Sequence, residues 1–247
     1  AYTNERLCKD DLITVQIVEN ECSDNISPVN LPLDIAYEDD DIIVINKPFD
    51  MPAHPSAGNH DNTLANALMY YYGSQNKPFV YRCINRLDRD TTGLTIVAKH
   101  ALAGGILGNA VAKRAIHRTY YAVCSGCTPA YMRISAPIAR KDASTIERCV
   151  DFKRGENAVT DFIRIKYNPD NNLSLVKLRL LTGRTHQIRV HMKYIGFPLI
   201  GDFLYNPDYT YISRQALHSG RLVFTHPVTG QKMNLISDIP SDMKSLF

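Results

Sequence analysis

Residues 85 to 93, Asn-Arg-Leu-Asp-Arg-Asp-Thr-Thr-Gly, set two arginines, Arg86 and Arg89, among two aspartates, Asp88 and Asp90, just ahead of an apolar run. An ionised carboxylate in such a place can attack an electrophilic carbon or accept a proton. It can equally be half of an Asp–Arg pair that ties a loop down. The nine residues fit both readings. Leu87 anchors the backbone, so the spacing predicts a half-buried Asp88 and a turn residue at Asp90. A guanidinium beside Asp88 would keep it ionised, suited to act as nucleophile or base and poorly suited as a general acid.

A source of such cations lies further along the chain. From Asn171 to Gly201 there is no aspartate or glutamate, while Lys177, Arg179, Arg184, Arg189 and Lys193 fall in that window with His186 and His191. A strand ending in a glycine turn and then a helix offers main-chain N–H groups and guanidiniums to an anion, and phosphate suits that geometry. A solvated cationic face accounts for the same residues. Lys and Arg total 28 against 25 acids, and a net charge of +3 does not by itself establish a nucleic-acid partner, so the distribution carries the argument.

Other chemistries find less support. His186 and His191 are five apart and do not share a helical face as zinc-protease histidines do. Cys124 and Cys127 have the spacing of a redox or zinc half-site, but no second pair follows, so unpaired structural thiols are expected. The chain shows no complete glycine-rich nucleotide loop. No cofactor and no metal are expected. No apolar run approaches the roughly 20 residues of a membrane span, and the first residues lack the apolar core of a signal peptide, which predicts a cytoplasmic protein.

The elements that must position these groups read as follows. A short strand is predicted over residues 12 to 18, then a polar connector, then a buried strand ending at Lys47. Beyond it a long loop over residues 49 to 62 is a candidate rim for a site. A helix from Thr63 to Tyr72 places Leu64, Ala67, Leu68 and Tyr71 on one stripe, its three tyrosines serving as packing. Strands follow over Gly93 to Lys99 and Arg118 to Gly126, the second with Tyr120, Ala122 and Cys124 on one face. Two more, over 157 to 168 and 173 to 181, are joined by a hairpin. Thr185 is the expected N-cap of a helix with Ile188, Met192 and Ile195 as its core stripe. A short helix and a strand are predicted between Arg214 and Gly230. Strands outnumber helices and lack the alternating rhythm of a doubly wound sheet, which predicts an α+β fold with a mixed, mainly antiparallel central sheet.

Five blocks in order, Tyr37–Pro48, Ile84–Lys99, Arg118–Gly126, Leu180–Tyr205 and Arg214–Gly230, resemble the RluA-type pseudouridine synthases. The resemblance implies isomerisation of a uridine in structured RNA, ribosomal or transfer, without cofactor or metal, in a cleft across the middle of the sheet. It makes Asp88 the catalytic aspartate, Tyr120 the tyrosine that packs on the target base and is proposed to assist deprotonation, and Arg184 the arginine paired with Asp88. Arg86 would help fill the space left by the flipped nucleotide. Lys47, Arg89, Lys177, Arg179, Arg189 and Lys193 complete the expected RNA-binding set. Two departures stand out: Asn85 replaces the family's usual histidine, and Thr92 its serine. Both are read as structural variation.

Residues 4 to 21 resemble the tail of the small S4-type RNA-binding domain that precedes many relatives. The expected division is therefore 1–30, a remnant of that domain and a linker, with most of the domain missing, and 31–247, the catalytic domain. A monomer is expected. Two rival functions fit parts of the pattern: a non-catalytic RNA-binding or ribosome-assembly module on the same fold, and a nucleoside glycosylase that releases uracil.

Overall fold

Apolar runs of strand length dominate the chain after residue 33, and the computed structural model joins them into one sheet. It describes residues 6, 8–12, 14, 19, 21–56, 58–142, 144 and 146–247, so the strand expected over 12 to 18 lies largely outside the described residues. In chain order the elements are β1 (Ile35–Glu38), β2 (Ile42–Lys47), α1 (Leu64–Gly73), β3 (Arg82–Cys83), β4 (Thr92–Ala98), α2 (Ala101–Ala112), β5 (His117–Ser125) and β6 (Tyr131–Ser135). They continue with β7 (Ile138–Arg140), β8 (Arg148–Val150), β9 (Val159–Asn168), β10 (Leu173–Leu180), α3 (Gln187–Tyr194), β11 (Leu217–Thr225), β12 (Lys232–Ile236) and α4 (Ser241–Lys244).

The central sheet has the order β1-β2-β4-β11-β5-β10-β9-β6, with β3 added on β4 and β12 on β11, while β7 and β8 form a separate hairpin. Every neighbouring pair is antiparallel except β4 and β11, which meet in parallel through His218 opposite Thr92 and Ser219 opposite Gly93. Gly93 has φ of 105°, and a Cβ there would collide with the Ser219 backbone, so only glycine permits the junction. The α+β architecture with a mixed, mainly antiparallel sheet is the one expected.

Strand alternation sends side chains to two packed layers. From β2 and β4, Ile42, Val44, Leu94 and Ile96 pack with Ala103 and Leu107 of α2, whereas Ile43, Ile45 and Val97 pack with Leu64, Ala65 and Leu68 of α1. In the other half, Tyr120, Ala122, Cys124, Val176 and Leu178 meet Ile188 and Met192 of α3. Thr63 and Asn66 form a reciprocal capping box that starts α1. Tyr71 and Tyr72 pack as expected, and their phenols both donate to Glu38 at 2.9 Å, whereas Tyr70, the third tyrosine of the helix, is exposed and does not pack. Residues 23 to 33 lie along the same helix: Ser23 N–H donates to Phe79 O at 3.2 Å and Val29 N–H to Asn66 O at 3.1 Å.

Three local expectations are corrected. Helix α3 is capped by His186 in a left-handed conformation, φ 57°, and not by Thr185. Among the described residues no side chain caps the first turn; the Gln187 amide oxygen instead folds the preceding loop onto the helix, accepting from the Thr182 hydroxyl at 2.8 Å and from Arg184 N–H at 2.9 Å. No helix forms at Arg214, because Ala216 O is already taken by Val123 N–H of β5 and the chain enters β11 directly. Helix α2 was not expected; its sequence carries three glycines and no charge, which hides a helix from a propensity reading.

Candidate active site

The turn that carries Asp88 is built from both sides. Asn85 is buried, and its side chain substitutes for a strand partner: it donates to Leu94 O at 3.2 Å and accepts from Ile96 N–H at 2.8 Å. Leu87 then enters the core beside Tyr120 and Leu178. Thr91 N–H donates back to Asp88 O at 3.1 Å and closes the turn. Thr92 bonds His218 Nδ1 at 2.9 Å through its hydroxyl, so both residues that depart from the family pattern brace the turn.

Within that turn the burial order is the reverse of the one expected. Asp90 is buried and bonded by Arg89 at 3.2 Å, while the Asp88 carboxylate keeps 29% of its surface open to the cleft. Its partner is also different. Arg189 Nη1 donates to Asp88 Oδ2 at 2.9 Å, and the same guanidinium grips Asp202 through Nε and Nη2, both at 2.7 Å. Arg189 is 2% exposed and Asp202 fully buried, so this is an Asp–Arg–Asp clamp whose outer carboxylate alone faces solvent. Arg189 is therefore no contact for RNA, contrary to expectation.

Arg184 does not pair with Asp88. Its guanidinium is bound to Glu156 and to Asn157 O, the latter at 3.2 Å, at the mouth of the cleft. An exposed pair of this kind contributes at most about 1 kcal/mol. Arg184→Lys is therefore expected to leave kcat within about fivefold of wild type. A hundredfold loss, measured by pseudouridine yield on one RNA, would return Arg184 to the role of partner to Asp88.

His186 was missed as a site residue. Its Nε2 lies 3.9 Å from Asp88 Oδ2, and its Nδ1 is 3.0 Å from the Tyr205 hydroxyl, which accepts from Arg148 N–H at 2.9 Å. Burial pulls the His186 imidazole below its ordinary range, so it is neutral at pH 7.

Asp88 opens on two connected spaces. The outer cleft has a volume of about 1030 Å³ and is lined by Arg86, Arg89, Arg114, Arg118, Arg148, Arg179 and Arg184. Among the described residues, Asp88 is the one carboxylate on its wall. The second pocket, about 90 Å³, sets Tyr120, Leu87, Leu180, Ile188 and Leu217 as apolar faces for a flat ring beside polar walls that include Asp88, Arg118, His186 and Gln187. Burial pushes the Tyr120 phenol above its ordinary value, so at neutral pH it is an O–H group and not a phenolate. One carboxylate inside a wall of guanidiniums suits a polyanion that delivers one group to an ionised acid.

The family model described as RNA pseudouridylate synthase matches residues 41–194, more than half of the chain and the span holding Asp88, Tyr120, Arg184 and Arg189. The chain belongs to this family. It is an RNA pseudouridine synthase of the RluA type, which favours neither the non-catalytic module nor the glycosylase. Among its relatives, an uncharacterised RNA pseudouridine synthase of Bacillus subtilis, YjbO, is 41% identical over 96% of this chain and 83% of its own length. The ribosomal large subunit pseudouridine synthase D of Haemophilus influenzae is 41% identical over 94% of this chain and 75% of its own. The solved human RNA pseudouridylate synthase domain containing 1 superposes with a TM-score of 0.70 at 26% identity, covering 84% of this chain and 83% of that one.

Around the synthase cleft the other expected contacts separate into two groups. Arg86, Arg89 and Arg179 line it. Lys177 is exposed on β10 two residues before Arg179, on the same strand face, and Lys193 stands over the Tyr205 ring at 5.6 Å on α3, outside the cleft. Lys47 is corrected: it is 1% exposed, and its ammonium donates to Pro48 O, Met51 O and Arg89 O at 2.7, 2.8 and 2.9 Å. Burial pulls Lys47 down to about 7. It joins the rim loop to the Asp88 turn and cannot reach RNA.

Among the described residues, one group of side chains could share an ion, Asp39, Asp41 and His226, far along the sheet from Asp88. His226 Nδ1 accepts from Val228 and Thr229 N–H at 3.3 and 3.1 Å, so its hydrogen is on Nε2, pointing to Asp39 at 2.8 Å. That tautomer leaves no lone pair for a metal. Cys124 is buried and Cys127 exposed, and both are free thiols.

Proposed function

We propose that Asp88 is the group that starts the isomerisation, that Tyr120 packs on the target uracil, and that Arg189 holds the carboxylate ionised and aimed. The observation that carries this reading is the placement of Asp88: among the described residues, the sole carboxylate lining an arginine-walled cleft, clamped from behind by a buried guanidinium. The reaction breaks the N1–C1′ bond and joins C1′ to C5 of the same base. C5 loses a proton and N1 gains one, so no redox partner is required. Asp88 either attacks C1′ or removes the C2′ proton, and both routes use the ionised form. The target uridine leaves its stack to reach the second pocket, and the arginines offset that cost by holding flanking phosphates.

Large-subunit ribosomal RNA is the substrate favoured, since relatives bearing that description align over three quarters of their length. Transfer RNA is the competing class. The protein acts as a cytoplasmic monomer, and no helix among the described residues is long and apolar enough to cross a membrane. Residues 31–247 form the catalytic domain, and residues 1–30 belong to an S4-type module and its linker.

The test incubates the protein with large-subunit ribosomal RNA and with transfer RNA, each from cells lacking the gene. Pseudouridine within intact ribosomal RNA is expected. Pseudouridine only in transfer RNA would overturn the substrate. In the same assay, Tyr120→Phe keeps the ring and loses the hydroxyl; if packing is its role, kcat falls by less than about tenfold. A loss near that of Asp88→Asn would make the hydroxyl a proton-transfer group.

A further inference from the structure

Beyond the cleft lies a second groove of about 490 Å³, whose walls include Arg140, Arg148, Arg154, Glu156, Arg184 and Thr185. The β7–β8 hairpin forms one side and the link before α3 the other. Arg148 and Arg184 line cleft and groove alike, so the two make one continuous trough.

Two features of this groove are costly without an anion. Arg140 and Arg148 stand directly opposite each other across the hairpin. Like charges so placed repel, and among the described residues neither forms an ion pair with a carboxylate. Arg148 is satisfied only by backbone, donating to Ile146 O and Glu147 O at 3.0 and 3.1 Å. Second, Arg184 stands on the partition between the two spaces and is held by Glu156, whose side chain is 70% exposed. A pair this open is weak, and a phosphate matches the guanidinium fork as well as a carboxylate does. Arg154 differs from these: it bonds Asp142 and Asp151 at 2.7 and 2.8 Å and braces the hairpin.

We propose that this groove carries the phosphate backbone of the RNA strand leaving the active-site cleft, with Arg140, Arg148 and Arg184 on the phosphates and Glu156 as the carboxylate they displace. The proposal rests on the reading of the cleft as the RNA site. It adds a path for the flanking strand and a built-in competitor that frees Arg184 only when RNA arrives.

The test compares Arg140→Gln, Glu156→Gln and a control, Arg221→Gln, which removes the same charge from an exposed position on β11 that lines neither space. The probes are a labelled oligouridylate of roughly 20 nucleotides, titrated between about 50 and about 200 mM salt, and transcribed large-subunit ribosomal RNA for kinetics. Arg140→Gln is expected to flatten the log–log salt slope by about 0.7, one single-strand phosphate contact, and to raise KM about fivefold with kcat unchanged. Glu156→Gln is expected to bind the oligouridylate more tightly than wild type. Arg140→Gln matching the Arg221→Gln control in slope and KM, or Glu156→Gln binding no more tightly, would overturn the groove. Failure of the active-site reading has a separate signature, isomerisation that survives Asp88→Asn.

Discussion

Asp88→Asn is expected to lower kcat for pseudouridine formation by at least about 10³-fold while leaving RNA affinity unchanged or slightly tighter. Asparagine keeps the shape of aspartate, and its amide oxygen can still accept from Arg189, which lies 2.9 Å from the native carboxylate. What it loses is the ionised oxygen that either attacks C1′ or takes the C2′ proton. Affinity is preserved because the change removes the one carboxylate from a wall of seven arginines and no phosphate contact. The same preparation is measured twice, by retention of labelled RNA on a filter and by nucleoside analysis after digestion. Pseudouridine at wild-type rate would end the assignment. Asp90→Asn is the internal control: Asp90 bonds Arg89 inside the turn and faces no cavity wall, so its loss is expected to keep kcat within about tenfold. A carboxylate that merely ties the loop down would give the two variants similar losses.

Asp88 could be singled out in the sequence because its neighbourhood is chemically unusual: an acid beside a buried leucine, followed by a threonine pair and a glycine. The structure adds the reason for the glycine, since Gly93 lets β4 run against Ser219 at the parallel junction that places the turn. Strands β2, β4, β5, β9 and β10 were legible because each is a continuous or alternating apolar run with a clear stop. Helix α2 was not, as its glycines mask the period.

The choice between Arg184 and Arg189 depends on a contact across 101 residues, which local spacing does not encode. A signal was present nonetheless. Asp202 is the first acid after the acid-free window, set in the apolar context Leu-Ile-Gly-Asp-Phe-Leu, and a buried acid requires a cation. Arg189, three residues before the core position Met192, is the arginine of that window on the inner side of its helix. The arginines of the outer wall, Arg114 and Arg118 around the start of β5 and Arg148 on β8, come from two separate places in the chain, and only the fold shows that they converge.

The second large effect is expected at this clamp. In Arg189→Lys one ammonium must replace a planar fork that serves two carboxylates on different sides, at 2.7 Å to Asp202 and 2.9 Å to Asp88. A point charge cannot span both. Asp202 is fully buried and cannot remain unpaired, whereas Asp88 has the cleft to turn into, so the lysine settles on Asp202 and Asp88 loses its anchor. The predicted result is a kcat reduced about 10²-fold, near 2.7 kcal/mol of transition-state stabilisation, with KM little changed because the outer arginines are intact. Asp202→Asn should show the opposite balance. It leaves a buried guanidinium short of one charge, costing about 3 to 5 kcal/mol of stability and on the order of 10 °C in Tm, while Arg189 keeps its bond to Asp88 and kcat falls less. Steady-state kinetics and thermal melts on both variants decide the matter. If Arg189→Lys retains kcat within threefold while Arg184→Lys is inactive, the roles of the two arginines are reversed and the clamp is structural alone.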